Sequence, residues 1–261
     1  MLKAKKIVKQ KISILGCGWL GLALACELVK HGYHVNGSTT TNSKLNNLKL
    51  KGIEPFLIDI SRGIDISDFL FTEILIIALS SKNINNFKYL IQQIEKSTIR
   101  KVLFISSTSV YPNTNEIVTE NTLAKKCSLT DVEHLFKINS IFKSTIIRFG
   151  GLFGYDRKPS NFVKVDKIIE NPEGYINLIH RNDCIRIIEQ IMIHNIWNIT
   201  LNACADTHPK RRDFYKKEVK KTEKFIPIFN EQSANEYKIV SSNKLKTLLN
   251  YKFEYSNLMN Y

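Results

Sequence analysis

The sequence lacks the cysteine patterns of a disulfide-bonded or zinc-binding protein. Its five cysteines are widely separated, and none forms a Cys-x-x-Cys pair or stands at zinc-ligand spacing from a histidine. An odd, scattered set argues against a disulfide framework and favours a reducing compartment. We therefore expect a cytoplasmic protein without a metal site.

Long apolar runs are also missing. The longest stretches, at residues 12–26, 74–79 and 102–105, are too short or too interrupted for a membrane-spanning helix. The hydrophobic share of 43% is nevertheless enough for a sizeable buried core. We expect a folded protein with no membrane partner.

Acidic residues are fewer than basic ones. The chain has 38 Lys and Arg against 24 Asp and Glu, a net charge of +14. Such an excess invites a nucleic-acid interpretation, but the lysines are scattered, and only the N-terminal tail and residues 208–221 are dense. Attraction to a phosphorylated small molecule is compatible with the same charge. We expect no nucleic-acid partner, unless the two basic segments cluster on one face.

Short apolar segments alternate with helical segments along the first part of the chain. Strands are predicted at residues 12–15, 33–37, 55–59, 73–79 and 101–107 and within 144–154. Helices are predicted at residues 20–30, 42–50, 86–97 and 129–138, with Asn42 or Ser43 capping the second and Thr130 or Asp131 the fourth. Continuous apolar strands separated by helices predict an α/β fold with a doubly wound parallel sheet.

The loop between the first predicted strand and the first helix reads Gly16-x-Gly18-x-x-Gly21. In a Rossmann unit the first glycine makes a tight turn, the second lets the backbone approach a pyrophosphate, and the third lets helix and strand pack closely. The helix N-terminus then offers its N–H groups to the phosphates. Lysines before this apolar stretch also resemble the start of a secretory signal, but a signal peptide does not explain the strands and helices that follow. We predict a dinucleotide-binding Rossmann domain over residues 1–153.

From residue 154 the pattern is less regular. Short strands are predicted at residues 176–180 and 197–203, and helices at 182–194, opening at Asn182 or Asp183, and at 210–221. The tail at 238–255 predicts a strand, a helix and a final strand. We expect residues 154–261 to form a smaller α+β substrate lobe, partly interleaved with the sheet.

The end of the second predicted strand bears on the choice between NAD and NADP. An NAD site usually places Asp or Glu there to bind the ribose 2′-hydroxyl, yet no acidic residue occurs between positions 27 and 54. The hydroxyls of Ser38, Thr39 and Thr40, with Lys44 a helical turn beyond, suit a 2′-phosphate better. A Ser/Thr-rich turn that caps the next helix is the alternative interpretation. The sequence therefore predicts NADP in preference to NAD.

Asp59 ends the third predicted strand, where it can meet the adenine amino group. Its alternative role is to cap the turn that follows. With the residues after the fourth strand, the predicted cofactor-binding set is Gly16, Gly18, Trp19, Leu20, Gly21, Ser38, Thr39, Thr40, Lys44, Asp59, Ala78 and Leu79.

Four segments carry a resemblance to a known family: GCGWLG at 16–21, FISSTSVYP at 104–112, RFGGLFG at 148–154 and NLIHRNDC at 177–184. The chain resembles the extended, atypical branch of the short-chain dehydrogenase/reductase superfamily, the NAD(P)-dependent epimerase/dehydratase relatives. It is most similar to bacterial members with a G-x-G-W-L-G turn and an HP-x-RR-x-FY segment, here at 208–215. The resemblance implies a Rossmann sheet and a small C-terminal substrate lobe. It favours an oxidoreductase or epimerase acting on a small polar substrate, with nucleotide-linked molecules as one option.

The resemblance also implies catalytic residues. Enzymes of this family use a Ser/Thr after the fifth strand and a Tyr-x-x-x-Lys on the next helix, where the tyrosine exchanges a proton and the lysine lowers its pKa. Ser107 matches the Ser/Thr position. No tyrosine occurs between residues 112 and 154, and the tyrosine and lysine positions fall near Lys125 and Leu129. Tyr111 is the candidate substitute, with packing at the wall of the cleft as its alternative role.

Two functions therefore stay open. The first is an NADP-dependent oxidoreductase or epimerase, which the retained Ser107 and Tyr111 favour. The second is a non-catalytic dinucleotide-binding sensor or partner-binding protein, which the missing Tyr-x-x-x-Lys favours. Family members pair through helices beside the fifth strand, so the resemblance also implies a homodimer.

Overall fold

The computed structural model describes residues 9–165, 167–222 and 225–261. The strands are β1 (Lys9–Leu15), β2 (Tyr33–Thr39), β3 (Glu54–Leu57), β4 (Ile74–Ile77), β5 (Lys101–Ser107), β6 (Ile117–Val118), β7 (Lys143–Phe149), β8 (Gly151–Phe153), β9 (Ile168–Ile169), β10 (Leu178–His180), β11 (Ile199–Ala203), β12 (Ile228–Phe229) and β13 (Ile239–Val240). The α-helices are α1 (Trp19–Lys30), α2 (Leu45–Leu50), α3 (Ile84–Glu95), α4 (Ser128–Lys137), α5 (Arg181–Ile193), α6 (Arg211–Lys220) and α7 (Asn243–Leu249). Short 3₁₀ helices occur at Asn42–Lys44, Thr108–Val110, Pro159–Phe162 and Leu258–Asn260.

Seven strands form one parallel sheet in the order β11-β7-β5-β4-β1-β2-β3. The predicted α/β fold with a parallel sheet is therefore confirmed. Strand β1 pairs with β2 on one side, where Ile12 lies opposite Val35, and with β4 on the other, where Ile12 lies opposite Ile74. The strand order reverses at β1 and β4, and open α/β sheets bind their ligands beyond the carboxyl ends of such a strand pair.

The chain divides into two compact units whose segments alternate along the sequence. The first unit consists of residues 1–105, 128–146 and 197–199, and the second of residues 106–127, 147–196 and 200–261. The division after residue 153 stays a prediction.

Buried aromatic rings fill part of the core of the first unit. Phe87 of α3 meets Phe104 of β5 edge-on, with ring centres 5.7 Å apart, and Phe104 stacks on Phe136 of α4 at 5.0 Å. All three side chains are fully buried. Strand β4 is buried along its whole length, as its continuous apolar sequence predicts.

Three of the predicted helix starts are wrong. The second helix begins as a 3₁₀ turn whose N-cap is Thr41, without a side-chain hydrogen bond, so neither Asn42 nor Ser43 caps it. The fourth starts at Ser128, which places Thr130 and Asp131 inside the helix. The helix extends in this way because Leu129 is buried on its apolar face. At the start of α5 the N-cap is His180 rather than Asn182 or Asp183.

The start of α5 is capped by His180. Its Nδ1 accepts a hydrogen bond from the backbone N–H of Asn182 at 3.2 Å, and burial lowers the pKa of the imidazole to about 4. A neutral ring can act as the acceptor that an N-cap requires. His180 also stacks against Tyr255, with ring centres 3.6 Å apart.

Asp183 uses its carboxylate to hold the C-terminal segment. The side chain is fully buried and accepts hydrogen bonds from the hydroxyl of Tyr251 at 2.8 Å and from the backbone N–H groups of Glu254 at 2.8 Å and Tyr255 at 3.1 Å. These N–H groups are therefore not paired with a strand. The predicted final strand is accordingly wrong, and the described residues after α7 contain only the 3₁₀ turn Leu258–Asn260.

Two kinds of feature are not found in the described part of the chain. No helix there has the length and apolar character needed to cross a membrane. Nor do three or more histidine, cysteine, aspartate or glutamate side chains come together there as a metal site would require.

Replacing Asp183 by asparagine should destabilise the protein. An amide can accept only part of the hydrogen bonds that the buried carboxylate accepts, and its NH₂ group opposes the donors of the C-terminal segment. We expect the free energy of unfolding in urea to fall by about 2–4 kcal/mol. Asp213→Asn, an exposed first-turn acid of α6, is the matched control and should change it by less than about 1 kcal/mol. Equal losses in the two variants would contradict this role of Asp183.

Candidate dinucleotide-binding site

The turn after β1 depends on Gly16. Its φ of +100° lies in the region that only glycine adopts readily. A Cβ at this position would lie 2.8 Å from the carbonyl oxygen of Ala78 and from Cδ2 of Leu79. These two residues follow β4 directly, and the N–H of Ala78 donates to the carbonyl of Leu15 at 2.9 Å. The carboxyl ends of β1 and β4 therefore meet at the predicted residues Gly16, Ala78 and Leu79.

The first turn of α1 lies against the same loop. A Cβ on Gly21 would overlap the carbonyl oxygen of Gly16 and lie 3.4 Å from the Cβ of Ala78. Leu20 beside it is buried, whereas Trp19 is partly exposed. The close approach of helix and strand that the fingerprint requires is thus present, and Gly21 permits it.

Gly18 is different, because its outer side is open. It is exposed, its φ is −82°, and no atom of its surroundings lies within 4 Å of the position that a Cβ would take. As the N-cap of α1 it contributes no side-chain hydrogen bond, and the first turn of the helix contains no acidic residue. A helix N-terminus with these properties favours an anion. The residues of this turn therefore fit the pyrophosphate of a dinucleotide.

The end of β2 supports the glycine turn from the side. The Oγ of Ser38 accepts a hydrogen bond from the N–H of Gly16 at 2.9 Å, and its carbonyl accepts one from Cys17 at 2.7 Å. Thr39 Oγ1 accepts from the N–H of Thr41 at 3.2 Å. Both Ser38 and Thr39 are buried, so these two hydroxyls shape the loop.

Thr40 and Lys44, by contrast, are exposed. Of the four polar residues predicted to meet the ribose end of the cofactor, these two remain accessible to it. They lie in the same segment of the first unit, one at the end of β2 and the other in the 3₁₀ turn before α2.

Asp59 lies two residues beyond the end of β3, which is shorter than predicted. Its carboxylate accepts hydrogen bonds from the N–H of Ser61 at 3.0 Å and from the Ser61 hydroxyl at 2.7 Å. These bonds, with Arg62 at 3.4 Å, lower the pKa of the carboxyl group. Asp59 thus makes the capping contacts that were its alternative role.

The two candidate catalytic residues lie in the second unit. Ser107 ends β5, is partly exposed, and its Oγ accepts a hydrogen bond from the N–H of Ser109 at 3.1 Å. The side chain of Tyr111 is fully buried. Its hydroxyl donates to Oδ1 of Asn202 at 2.9 Å and accepts from Nη1 of Arg148 at 2.7 Å. Burial raises the pKa of the Tyr111 hydroxyl, while the guanidinium of Arg148 acts in the opposite direction.

The structure adds polar residues that the sequence did not identify. Besides Arg148 and Asn202, Glu120 accepts a hydrogen bond from the N–H of Asn202 at 2.7 Å, and Nζ of Lys238 donates to the carbonyl of Tyr111 at 2.7 Å. A signal existed for Arg148, since it is a charge among the apolar residues Ile146, Ile147 and Phe149 of β7. None existed for Lys238, because 127 positions separate it from Tyr111.

The residues at the positions expected for the family's tyrosine and lysine are Lys125 and Leu129, and neither residue type can fill the role of its position. Lys125 lies before α4, with its N–H donating to the carbonyl of Val110 at 2.8 Å. Leu129 is a buried residue of α4.

A family model matches a segment that lies mostly in the first unit. Residues 11–132, just under half of the chain, match the family model of the NAD binding domain of 6-phosphogluconate dehydrogenase. The protein has an NAD-binding Rossmann domain. The turn of this Rossmann domain is the Gly16–Gly21 loop described above.

Relatives are similar to the chain over nearly its whole length. Protein YeeZ of Escherichia coli strain K12 is 26% identical over 268 residues, which cover 94% of this chain and 96% of that protein. A conserved protein of unknown function from Silicibacter pomeroyi has a similar fold, with a TM-score of 0.82, 19% identity and coverage of 97% and 96% of the two chains.

Enzymes of known substrate share the fold as well. UDP-glucuronic acid 4-epimerase of Bacillus cereus, solved with UDP-glucuronic acid and NAD, superposes with a TM-score of 0.78 at 19% identity, covering 96% of each chain. Solved structures of similar fold also include a short-chain dehydrogenase/reductase superfamily protein with bound NAD. At this level of identity the likeness shows the fold alone. This Rossmann-like fold is shared with epimerases and dehydrogenases.

The glycines of the Rossmann turn should differ in their effect on stability. Gly21→Ala forces a methyl group onto the Gly16 carbonyl and should lower the free energy of unfolding by about 1–3 kcal/mol, even though alanine favours helices. Gly18→Ala places its methyl group in open space and should cost less than about 1 kcal/mol. Urea unfolding of the two variants beside the wild type measures the difference. The close-packing role of Gly21 fails if its variant is as stable as that of Gly18.

Proposed function

We propose that the protein is an NAD(P)-dependent oxidoreductase or epimerase that acts on a small polar substrate. The observation that carries this proposal is the turn between β1 and α1. There Gly16 with its positive φ and the close-packed Gly21 leave the open side of Gly18 at a helix N-terminus without a side-chain cap. The match to an NAD-binding domain supports the same cofactor class. A bound nicotinamide dinucleotide would supply hydride transfer.

Within this proposal the cofactor is NADP in preference to NAD. No acidic residue occurs between positions 27 and 54, so the carboxylate that usually binds a ribose 2′-hydroxyl is not in the sequence there. The exposed Thr40 and Lys44 supply a hydroxyl and a positive charge instead. Both are suited to a 2′-phosphate.

The proposed substrates are small and polar, and nucleotide-linked sugars are the first to test. The Bacillus cereus epimerase of similar fold was solved with UDP-glucuronic acid. The net charge of +14 favours anionic molecules of this kind. Ser107 is the proposed catalytic residue, and Tyr111, the other predicted one, is proposed as a positioning residue.

Ser107 and Tyr111 have different surroundings, and these suggest different roles. The partly exposed hydroxyl of Ser107 at the end of β5 is suited to hydrogen-bond a substrate oxygen. The Tyr111 hydroxyl is enclosed and held by Arg148 and Asn202. Its proposed role is to position the backbone that follows Ser107 rather than to touch the substrate.

A non-catalytic role as a dinucleotide sensor is the second candidate. The observation that favours it is the combination of an enclosed Tyr111 with the absence of tyrosine from residues 112–154. An NADP-binding protein with no proton donor would report the state of the cofactor pool without turning it over. Cofactor binding would then be intact and turnover absent.

The purified protein should bind NADPH, and Gly18→Asp should abolish this binding. An aspartate at the N-cap accepts hydrogen bonds from the helix N–H groups and places a negative charge where the pyrophosphate would lie, while it caps the helix well. Titration followed by nicotinamide fluorescence measures both proteins, and the unfolding midpoint of the variant shows that it folds. NADPH should bind more tightly than NADH, and Lys44→Met should reduce this preference.

Three results of the titration would decide against the proposal. No binding of either nucleotide to the wild type would reject the dinucleotide function. Equal binding by Gly18→Asp would show that the nucleotide lies elsewhere. Tighter binding of NADH than NADPH would reject the NADP preference alone.

Turnover should distinguish the enzyme from the sensor. With NADP⁺ or NADPH and a panel of nucleotide-linked sugars, Ser107→Ala should lower kcat by about 100-fold because it removes a hydrogen bond to the reacting oxygen. Tyr111→Phe keeps the ring and removes the hydroxyl, so a positioning role predicts a smaller loss and an unchanged pH profile. If one limb of the plot of kcat against pH disappears in Tyr111→Phe, Tyr111 would instead be the proton donor. No turnover with any substrate by a protein that binds NADPH would favour the sensor.

A further inference from the structure

A basic residue of the second unit has no partner for its charge, although its neighbours in the chain do. Lys210 pairs with Glu173 at 2.9 Å, and Arg212 pairs with Glu173 at 2.8 Å and with Glu231 at 2.6 Å. Arg211 between them forms no ion pair with any described residue. Its Nε is buried and donates to no acceptor within the described ranges. Buried donors of this kind are normally hydrogen-bonded in folded proteins.

Arg211 lines a cavity of about 340 Å³. Much of the remaining wall is apolar or aromatic, with Phe162, Val163, Ile169 and Tyr215 among its residues. The charged residues of the wall besides Arg211 are Lys164, Lys167 and Glu170. A cavity of this size with apolar walls and a few charged groups is typical of a small-molecule site. All of these residues belong to the second unit.

Arg211 is not the only basic residue of the wall, because Lys164 and Lys167 line the same cavity. Lys238 is partly buried, and burial together with the nearby charges of Lys125 and Arg211 lowers the pKa of its ammonium group. The positive charge of Arg211 also acts on Tyr215, opposing the rise that burial causes in the pKa of its hydroxyl. Cations that line one cavity repel one another, and an anion bound among Arg211, Lys164 and Lys167 would offset this repulsion.

The start of α6 is not itself the source of this site. The backbone N–H of Arg211 donates to the carbonyl of Gly174 at 2.9 Å, and that of Arg212 to the carbonyl of Pro172 at 2.9 Å. Both backbone N–H groups therefore already have acceptors, so they are not counted as donors to a ligand. The acidic residue of the cavity wall, Glu170, accepts a hydrogen bond from Nδ2 of Asn230 at 2.9 Å, so its carboxylate is held by a different partner.

We propose that this cavity binds the phosphate of a phosphorylated small molecule, with Arg211 as its forked donor and Lys164 and Lys167 of the same wall as the flanking charges. Several cations favour a polyvalent phosphate over a single carboxylate, and guanidinium matches phosphate geometry in two parallel hydrogen bonds. The apolar walls would accept the uncharged remainder of the molecule. That the molecule is the substrate rests on the proposed function, whereas the anion site does not.

Inorganic pyrophosphate is the probe for this site, measured by isothermal titration calorimetry at fixed salt. The wild type should bind it, and Arg211→Met should weaken binding on the order of tenfold or more, as expected for a lost charge-assisted pair. Lys167→Met, which removes a second positive charge from the cavity wall, should weaken it in the same direction. Lys220→Met removes an exposed charge from the last turn of the same helix and should leave the Kd within about twofold.

The glycine turn is a second place where pyrophosphate could bind, and Gly18→Asp separates the two. If the inference holds, Gly18→Asp keeps pyrophosphate binding while it loses NADPH. Loss of pyrophosphate binding in Gly18→Asp but not in Arg211→Met would overturn the inference and leave the dinucleotide proposal standing. Retained pyrophosphate binding by a wild type that binds no nucleotide would reject the proposed function and support the anion site.

Three further results have a fixed meaning. No binding to the wild type overturns the inference, and so does equal weakening by Arg211→Met and Lys220→Met. Acetate that binds as tightly as pyrophosphate overturns the preference for phosphate. Should Arg211→Met unfold, Arg211→Lys takes its place: it keeps the charge but loses the fork, and a Kd unchanged from the wild type would count against the forked contact.

Discussion

The contact between Gly16 and Gly21 is the constraint on which the first unit depends. A strand and a helix approach so closely there that a Cβ on Gly21 would overlap the Gly16 carbonyl oxygen, while a Cβ on Gly16 would meet Ala78 and Leu79. The N–H of Gly16 donates a hydrogen bond to Oγ of Ser38 at the end of the neighbouring strand β2. On the other side Ala78, which follows β4, packs against Gly16. Three parallel strands thus fix the direction in which α1 leaves the sheet. That direction leaves Gly18 uncovered, so the open helix end is a consequence of the tight packing beside it.

This region could be predicted from sequence because its determinants are local. The spacing of three glycines and the apolar runs on each side specify a strand, a turn and a helix within about twenty residues. The hydroxyls of Ser38 and Thr39 were correctly placed at the end of β2, but not the direction of their hydrogen bonds. Both are turned toward the loop, since each is buried beside an N–H group that needs an acceptor. Whether the hydroxyls of a Ser/Thr cluster face a ligand or the backbone depends on their burial. The spacing of residues along the sequence does not predict that burial.

The second unit was harder to predict because its polar contacts are long-range. Asp183 looked like a helix cap, yet its carboxylate binds donors from residues 251 to 255, some 70 positions away. The hydrogen bond between Tyr111 and Asn202 spans 91 positions. Side chains that satisfy one another across such distances have no period or motif. The predicted final strand was wrong for the same reason. The N–H groups that would have paired with a neighbouring strand donate instead to the buried carboxylate of Asp183.

Tyr111 shows how burial can cancel a chemical resemblance. In the family that the chain resembles, a lysine beside the tyrosine lowers the pKa of the phenol and makes it a proton donor. Arg148 supplies a comparable positive charge here, with its Nη1 2.7 Å from the phenol oxygen. Burial nevertheless outweighs that charge, and the pKa of the Tyr111 hydroxyl is raised. A cation next to a tyrosine is therefore not enough: the phenol must also reach solvent or substrate, and in this chain the same arginine that could activate it helps to enclose it.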